Sequence, residues 1–405
     1  MRIWNTSPLR RLSTAFGTAA TLTLLALLAD RVDAQALTTL YSFDGTHGSW
    51  PMGGLTLSGS TLYGVTYYGG ANYAGTVFSI PVTGGTPTVL HSFDGTHGRG
   101  PSGSLTLNGS TLHGMTYGGG TNGKGTIFSI PTSGGTPTVL YDFDGPHGSW
   151  PSNSLTLSGS TLYGMAGGGT GTASGTIFSI PVSGGTPATL FSFDGTHGSY
   201  PNAGLTLSGS TLYGAAWQGG ANDRGTVFSI PVTGGTPTVL FNFDGTYGSG
   251  PYGDLTLNGS MLYGATASGG AFGYGTVFSV PVTGGTPTIL YSFDKNHGSN
   301  PHGGLILSGS TLYGMTSGGG THDGGTVFSI PITGRTPTIL FNFDYGCTPV
   351  GSLTLSGSTL YGETQRGGAN HNGSIFSLTI PEPATLSLLA LGVLTMMKRR
   401  NRPTA

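Results

Sequence analysis

Apolar positions in the middle of the chain come in short runs divided by Gly, Pro, Ser and Asn. Four such runs make one unit: Leu-Thr-Leu at 55–57, Thr-Leu-Tyr-Gly at 61–64, Gly-Thr-Val-Phe-Ser-Ile at 75–80 and Thr-Val-Leu-His-Ser-Phe at 88–93. All are short and rich in β-branched or aromatic residues, and none sustains a helical period, so each predicts a strand. The dipeptide Phe-Asp marks the repeat, at Phe43-Asp44, Phe93-Asp94, Phe143-Asp144, Phe193-Asp194, Phe243-Asp244, Phe293-Asp294 and Phe343-Asp344, a constant step of 50 residues. Between the first two strands stands Ser58-Gly59, replaced by Asn108-Gly109 and Asn258-Gly259, which predicts a two-residue type I′ hairpin. Between the third and fourth, the segment from Pro81 to Pro87 is a turn with proline at both ends. Four antiparallel strands per unit, repeated seven times, predict an all-β fold, a seven-bladed β-propeller.

The phase of the repeat adds a closure. The first element is a fourth strand, 38–43, and the last copy stops after its third, so the N-terminal strand is expected to complete the last blade beside 353–355, 359–364 and 374–378. Closing the ring removes the open sheet edges that invite aggregation. An open solenoid would instead call for polar caps at both ends.

The two ends follow different rules. Residues 1–34 carry Arg10 and Arg11, an apolar run centred on 22–28, and Val-Asp-Ala before Gln35, the order of a secretory signal peptide cleaved between Ala34 and Gln35. At the other end, Pro381, Glu382 and Pro383 precede an apolar run at 386–397 and then Lys398, Arg399, Arg400 and Arg402. Twelve helical residues reach about 18 Å, short of a hydrocarbon core of about 30 Å, while the basic tail favours a cytoplasmic C-terminus. Residues 381–405 resemble the PEP-CTERM sorting signal of Gram-negative bacteria. That resemblance implies signal peptidase and an exosortase as partners during export, a C-terminal inner-membrane anchor that is either transient, lost on processing, or permanent, a cell-surface or extracellular address, and frequent association with exopolysaccharide. Within the domain at 35–380, roughly residues 38–380 resemble the tandem GloVer repeat of surface proteins with varied anchors, which implies anchoring and a propeller but no defined activity.

Composition then trims the functional classes. Gly and Pro number 77 and 24, about twice the usual share, and only 7% of residues are charged. Eight of the 14 basic and three of the 15 acidic residues lie in the two ends, leaving 35–380 with six basic and 12 acidic side chains, a net of −6. Such a surface lacks the basic density that nucleic acid requires. Cys347 is the single cysteine, so no intramolecular disulfide forms and packing must supply stability.

Candidate chemistry is confined to one loop face. The strands barely differ among copies, whereas the segment after Tyr-Gly does, and its Tyr67, Tyr68, Asn72, Tyr117, Trp217, Asp223, Phe272, His322 and Asp323 form the candidate ligand-binding set. Such variation reads either as relaxed constraint on exposed loops or as a diversified binding surface. Aromatic rings beside Asn and Asp suit stacking on sugars, so an exopolysaccharide or other surface glycan is the expected partner. The sevenfold Asp and the following His47, His97, His147, His197 and His297 read as turn chemistry, because an enzyme needs one asymmetric site and a calcium site needs six to eight converging oxygens. No metal, cofactor or catalytic residue is therefore expected. Glu363 is the lone Glu of the domain, so paired-carboxylate glycoside hydrolysis would depend on Asp. The alternatives are a propeller lyase or hydrolase, with Asp223 and Arg224 or His322 and Asp323 as its only local candidates, and a purely structural matrix protein.

Overall fold

The computed structural model describes residues 37–169 and 174–380. The expected signal peptide with its Ala34–Gln35 cleavage site, and the Pro381-Glu382-Pro383 segment, lie outside the described residues. Within them there is no helix, and hence none long and apolar enough to cross a membrane. Seven antiparallel sheets form a ring, as the repeat count predicts. Blades 1 to 6 occupy 49–92, 99–142, 156–192, 206–242, 249–292 and 299–342. Blade 7 takes its three inner strands, Pro349–Ser356, Thr359–Thr364 and Ser374–Thr379, from the end of the chain, and its outer strand, Thr38–Ser42, from the beginning. The expected closure is therefore present.

Packing between blades repeats as faithfully as the sequence. The invariant Phe at the end of each outer strand is buried and meets a Phe of the next blade edge to face, with centroids 5.4 Å apart for Phe43 and Phe78 and 5.2 Å for Phe93 and Phe128. Seven apolar clusters fill the seven junctions. One of them joins Leu40, Tyr361 and Ile375 of blade 7 to Leu55, Leu62 and Phe78 of blade 1.

Two local expectations are corrected. Ser58 pairs with Thr61, so the hairpin residues are Gly59 and Ser60, and of these only Gly59 takes a positive φ, +58°. This is the glycine-first pattern of a type II′ turn, which leaves Asn108 and Asn258 in their strands as the last paired residues. The innermost strand also begins earlier than 55–57. In blade 1 it runs as Ser49–Pro51 and Thr56–Ser58 around an irregular step, and in blade 2 it is continuous over Arg99–Asn108. Proline and glycine hide this segment from strand propensity, yet it lines the central axis.

Candidate functional site

The Asp-x-x-His loop, present in five of the seven copies, is built for turning the chain. Asp44 Oδ1 accepts the N–H of His47 at 2.8 Å, and Oδ2 lies 2.8 Å from the imidazole Nδ1, which is 3.1 Å from the Tyr41 hydroxyl. Partial burial pushes the Asp44 carboxyl upward, but the His47 N–H and ring outweigh it and hold the group below the ordinary aspartate range. The Tyr41 phenol is pushed up to about 12 by burial and by the Asp44 charge. Repetition of this geometry at Asp144 and His147 and at Asp294 and His297 marks a structural device. No group of three His, Cys, Asp or Glu side chains converges among the described residues.

The asymmetric chemistry lies at the axis and its mouth. A cavity of about 370 Å³ is lined by the inner-strand residues that follow each proline, among them Met52, Ser102, Asn202, Tyr252, Asp254 and His302. Tyr252 and His302 stack with centroids 3.9 Å apart. Burial drives His302 down to about 4 and pushes Asp254 upward, although the Gly204 N–H, 2.5 Å away, opposes the latter shift. These residues were missed because the inner segment does not read as a strand; its variation from copy to copy was the available signal.

At the mouth of this cavity one series of ring contacts joins three blades. Arg366 of blade 7 lies over Trp50, its guanidinium carbon 4.7 Å from the ring centroid. Trp50 meets Tyr68 at 5.4 Å, Tyr68 meets Tyr67 at 4.7 Å, and Tyr67 meets Tyr117 at 6.2 Å. The same three tyrosines wall a surface groove of about 510 Å³ that also includes Asn72, Asp94 and Arg99. Trp50 sits at φ +56°, an outlier for a bulky residue, and its N–H donates to the Asn372 carbonyl of the preceding blade at 2.9 Å. Trp150 and Tyr200 repeat this conformation, with φ +53° and +51°, and remain about half exposed. Where the equivalent residue is glycine, at Gly100 and Gly250, an aromatic ring of the previous blade, Tyr67 or Trp217, lies over it. Aromatic rings thus mark the first five blade junctions on this face, from blade 7/1 to blade 4/5.

The sequence-nominated residues divide accordingly. Tyr67, Tyr68 and Tyr117 are brought together, although they stand in the strands Thr61–Tyr68 and Thr111–Gly118 rather than in the following loop. Trp217 lies at the blade 4/5 junction and Phe272, 60% exposed, on blade 5. Asn72 is nearby, but its amide donates to the Phe93 carbonyl at 3.3 Å. Asp223 accepts the Gly219 N–H at 3.0 Å and Asp323 the Gly319 N–H at 3.1 Å, so both carboxylates brace their own loops. His322 lies 3.0 Å from Asp344 on the outer rim. Trp50, Arg99 and Arg366 are the additions that the sequence reading did not include.

A sequence profile of the Gloeobacter/Verrucomicrobia repeat matches residues 29–228 and 208–392. No curated protein matches the chain. Among solved structures, a puromycin-hydrolyzing peptidase of Mycobacterium tuberculosis is 14% identical with a TM-score of 0.57, over 85% of this chain and 54% of the peptidase. An oligogalacturonate lyase in complex with manganese is 11% identical with a TM-score of 0.54, over 87% of this chain and 95% of the lyase. At these identities the likeness is one of fold.

Proposed function

The chain belongs to the Gloeobacter/Verrucomicrobia repeat family, and from that premise we propose that it is an exported, non-catalytic propeller scaffold that binds carbohydrate through one face at the cell surface or in the extracellular matrix. The observation that carries this reading is the run Trp50, Tyr68, Tyr67 and Tyr117 at the mouth of the axial cavity. Aromatic rings with an apolar face and a polar edge suit the apolar faces and hydroxyl rims of pyranose rings. Backbone strain retained at Trp50, where Gly100 shows that glycine fits, is consistent with selection for the ring itself.

Orientation supports attachment. Thr38 and Thr379 end their strands on the face of the Pro81–Pro87 turn, and the Ile380 N–H donates to Ser358 in a hairpin of that face. The aromatic run occupies the opposite face, so a tether leaving from residue 380 would direct it outward. In this reading signal peptidase removes residues 1–34 and an exosortase acts on the segment after Pro381.

Retention of the full-length protein on the producer's own polysaccharide tests binding. Tyr67→Ala with Tyr117→Ala is expected to weaken retention at least about tenfold; unchanged retention would overturn it. Intact mass of the native protein tests sorting, which requires that Lys398 to Ala405 be absent.

A further inference from the structure

Charge placement narrows the ligand. Residues 35–380 hold six basic side chains against 12 acidic ones, and four of the six are accounted for. Lys124 donates to the Asp144 carbonyl at 2.8 Å, Lys295 lies 3.4 Å from Asp323, Arg224 packs over Gly245, and Arg335 belongs to the turn on the opposite face. The remaining two, Arg99 and Arg366, are exposed and flank the aromatic run, one at each side. Among the described residues neither has a carboxylate within 4.0 Å.

Arg99 is also a copy-specific replacement, standing where other copies have Ser49, Ser149, Ser199, Ser249 and Ser299. Its side chain lies across Gly118, directly after Tyr117. The acidic group nearest to it in the groove, Asp94, is engaged by the N–H groups of Thr96 and His97. Among the described residues Lys124, Arg224 and Arg335 also have no carboxylate within 4.0 Å, so what sets Arg99 and Arg366 apart is their place beside the aromatic run. A guanidinium at each side of a run of aromatic rings fits a ligand that carries its own carboxylates, because a guanidinium fork matches a carboxylate in both charge and geometry.

We propose that the Trp50–Tyr117 run binds an acidic polysaccharide, its sugar rings stacked on the aromatic side chains and its uronate carboxylates paired with Arg99 and Arg366. This rests on the carbohydrate reading above and adds the ligand's charge. Single-stranded nucleic acid also combines anions with stacking faces, but it demands a continuous basic groove, which a domain of net −6 with only Arg99 and Arg366 beside the run does not offer.

Binding of the full-length protein is measured on alginate and polygalacturonate, on the same polymers after carboxyl reduction, and on oligo-dT. The expected result is binding to an acidic polymer that falls at least about tenfold on carboxyl reduction, in Arg99→Gln and in Arg366→Gln, recovers in part in the Lys variants, and weakens with salt. Unchanged thermal midpoints in these exposed variants separate lost contacts from lost folding. Equal binding of intact and reduced polymers that depends on Tyr67 and Tyr117 would overturn the acidic ligand and leave the carbohydrate reading standing. Preference for oligo-dT, or no binding to any polymer, would overturn both.

Discussion

The ring of Tyr67 in blade 1 lies over Gly100 in blade 2, 3.0 Å from where a β-carbon on that glycine would stand. Trp217 covers Gly250 in the same way. At each of these junctions one aromatic ring occupies the space, and the facing residue gives way to it. Gly100→Ala meets two costs, a side chain at φ +61° and a contact with the Tyr67 ring. We expect a loss of about 1–2 kcal/mol in urea unfolding, with a changed near-ultraviolet dichroism. Gly109→Ala, at φ +59° with nothing near its β-carbon, isolates the backbone cost. Equal losses in the two variants would show that Tyr67 does not depend on the glycine.

That relationship also shows where sequence reading stops. Strands such as 76–81 were legible because each is copied seven times with its alternation intact. The closure by 38–42 followed from the phase of the repeat. The inner-strand segments that begin at Ser49 in blade 1 and at Ser249 in blade 5 were not legible, because their pairing partners override their poor strand propensity. Tyr67, Tyr68 and Tyr117 could be nominated from composition alone. That Trp50 and Arg366 join them depends on blade 7 packing against blade 1, a contact between distant parts of the chain.

Glu363 stands in blade 7 where other copies place Val65, Met115, Met165, Ala215, Ala265 and Met315. It is 1% exposed, and neither carboxyl oxygen has a hydrogen-bond partner of good geometry. Burial raises its pKa well above 4.5, and the Gly53 N–H offsets this only in part. The folded state therefore holds a proton that the unfolded chain releases above about 4.5. The resulting stability is whole below that pH and declines as pH rises from there to the folded value. Glu363→Met should raise stability near neutral pH by about 1–3 kcal/mol. Thermal midpoints from pH 4 to pH 8 should show the gap between variant and parent widening upward; parallel curves would mean that the carboxyl is solvated.

Threonine hydroxyls fasten neighbouring blades near the axis. Thr206 Oγ donates to the Leu255 carbonyl at 2.5 Å, as Thr56, Thr106 and Thr156 do to Leu105, Leu155 and Leu205. Thr256 and Thr354 bond likewise to Leu305 and Leu55. In blade 6 Ile306 takes this place, so a hydrocarbon of similar shape is tolerated there. Thr206→Val should therefore cost only about 1 kcal/mol, the net worth of one hydrogen bond. Urea unfolding with an unchanged slope would confirm a local effect, whereas a loss of several kcal/mol would mean that these bonds act as one cooperative ring.

Closure concentrates in the strand Thr38–Ser42. It pairs with Ser374–Thr379, and beyond it the Phe43 N–H donates to Gly373 at 2.9 Å while the Asn370 amide donates to the Phe43 carbonyl at 3.1 Å. Leu40 and Phe43 are buried in the junction between blades 7 and 1. Removing residues 37–43 would bare the edge of strand 374–379 and strip Phe78 of its aromatic neighbour. Leu40→Ala alone should cost about 2–4 kcal/mol. The truncation should cost more and, by offering an unpaired edge, should also produce association that grows with protein concentration. Size-exclusion chromatography with light scattering separates the two effects, and an added peptide of residues 37–43 should suppress the association by filling the vacant position. A truncated protein that stays monomeric with the parent's thermal midpoint would show that six complete blades and one three-stranded blade suffice, and that the strand from the beginning of the chain is dispensable to the ring.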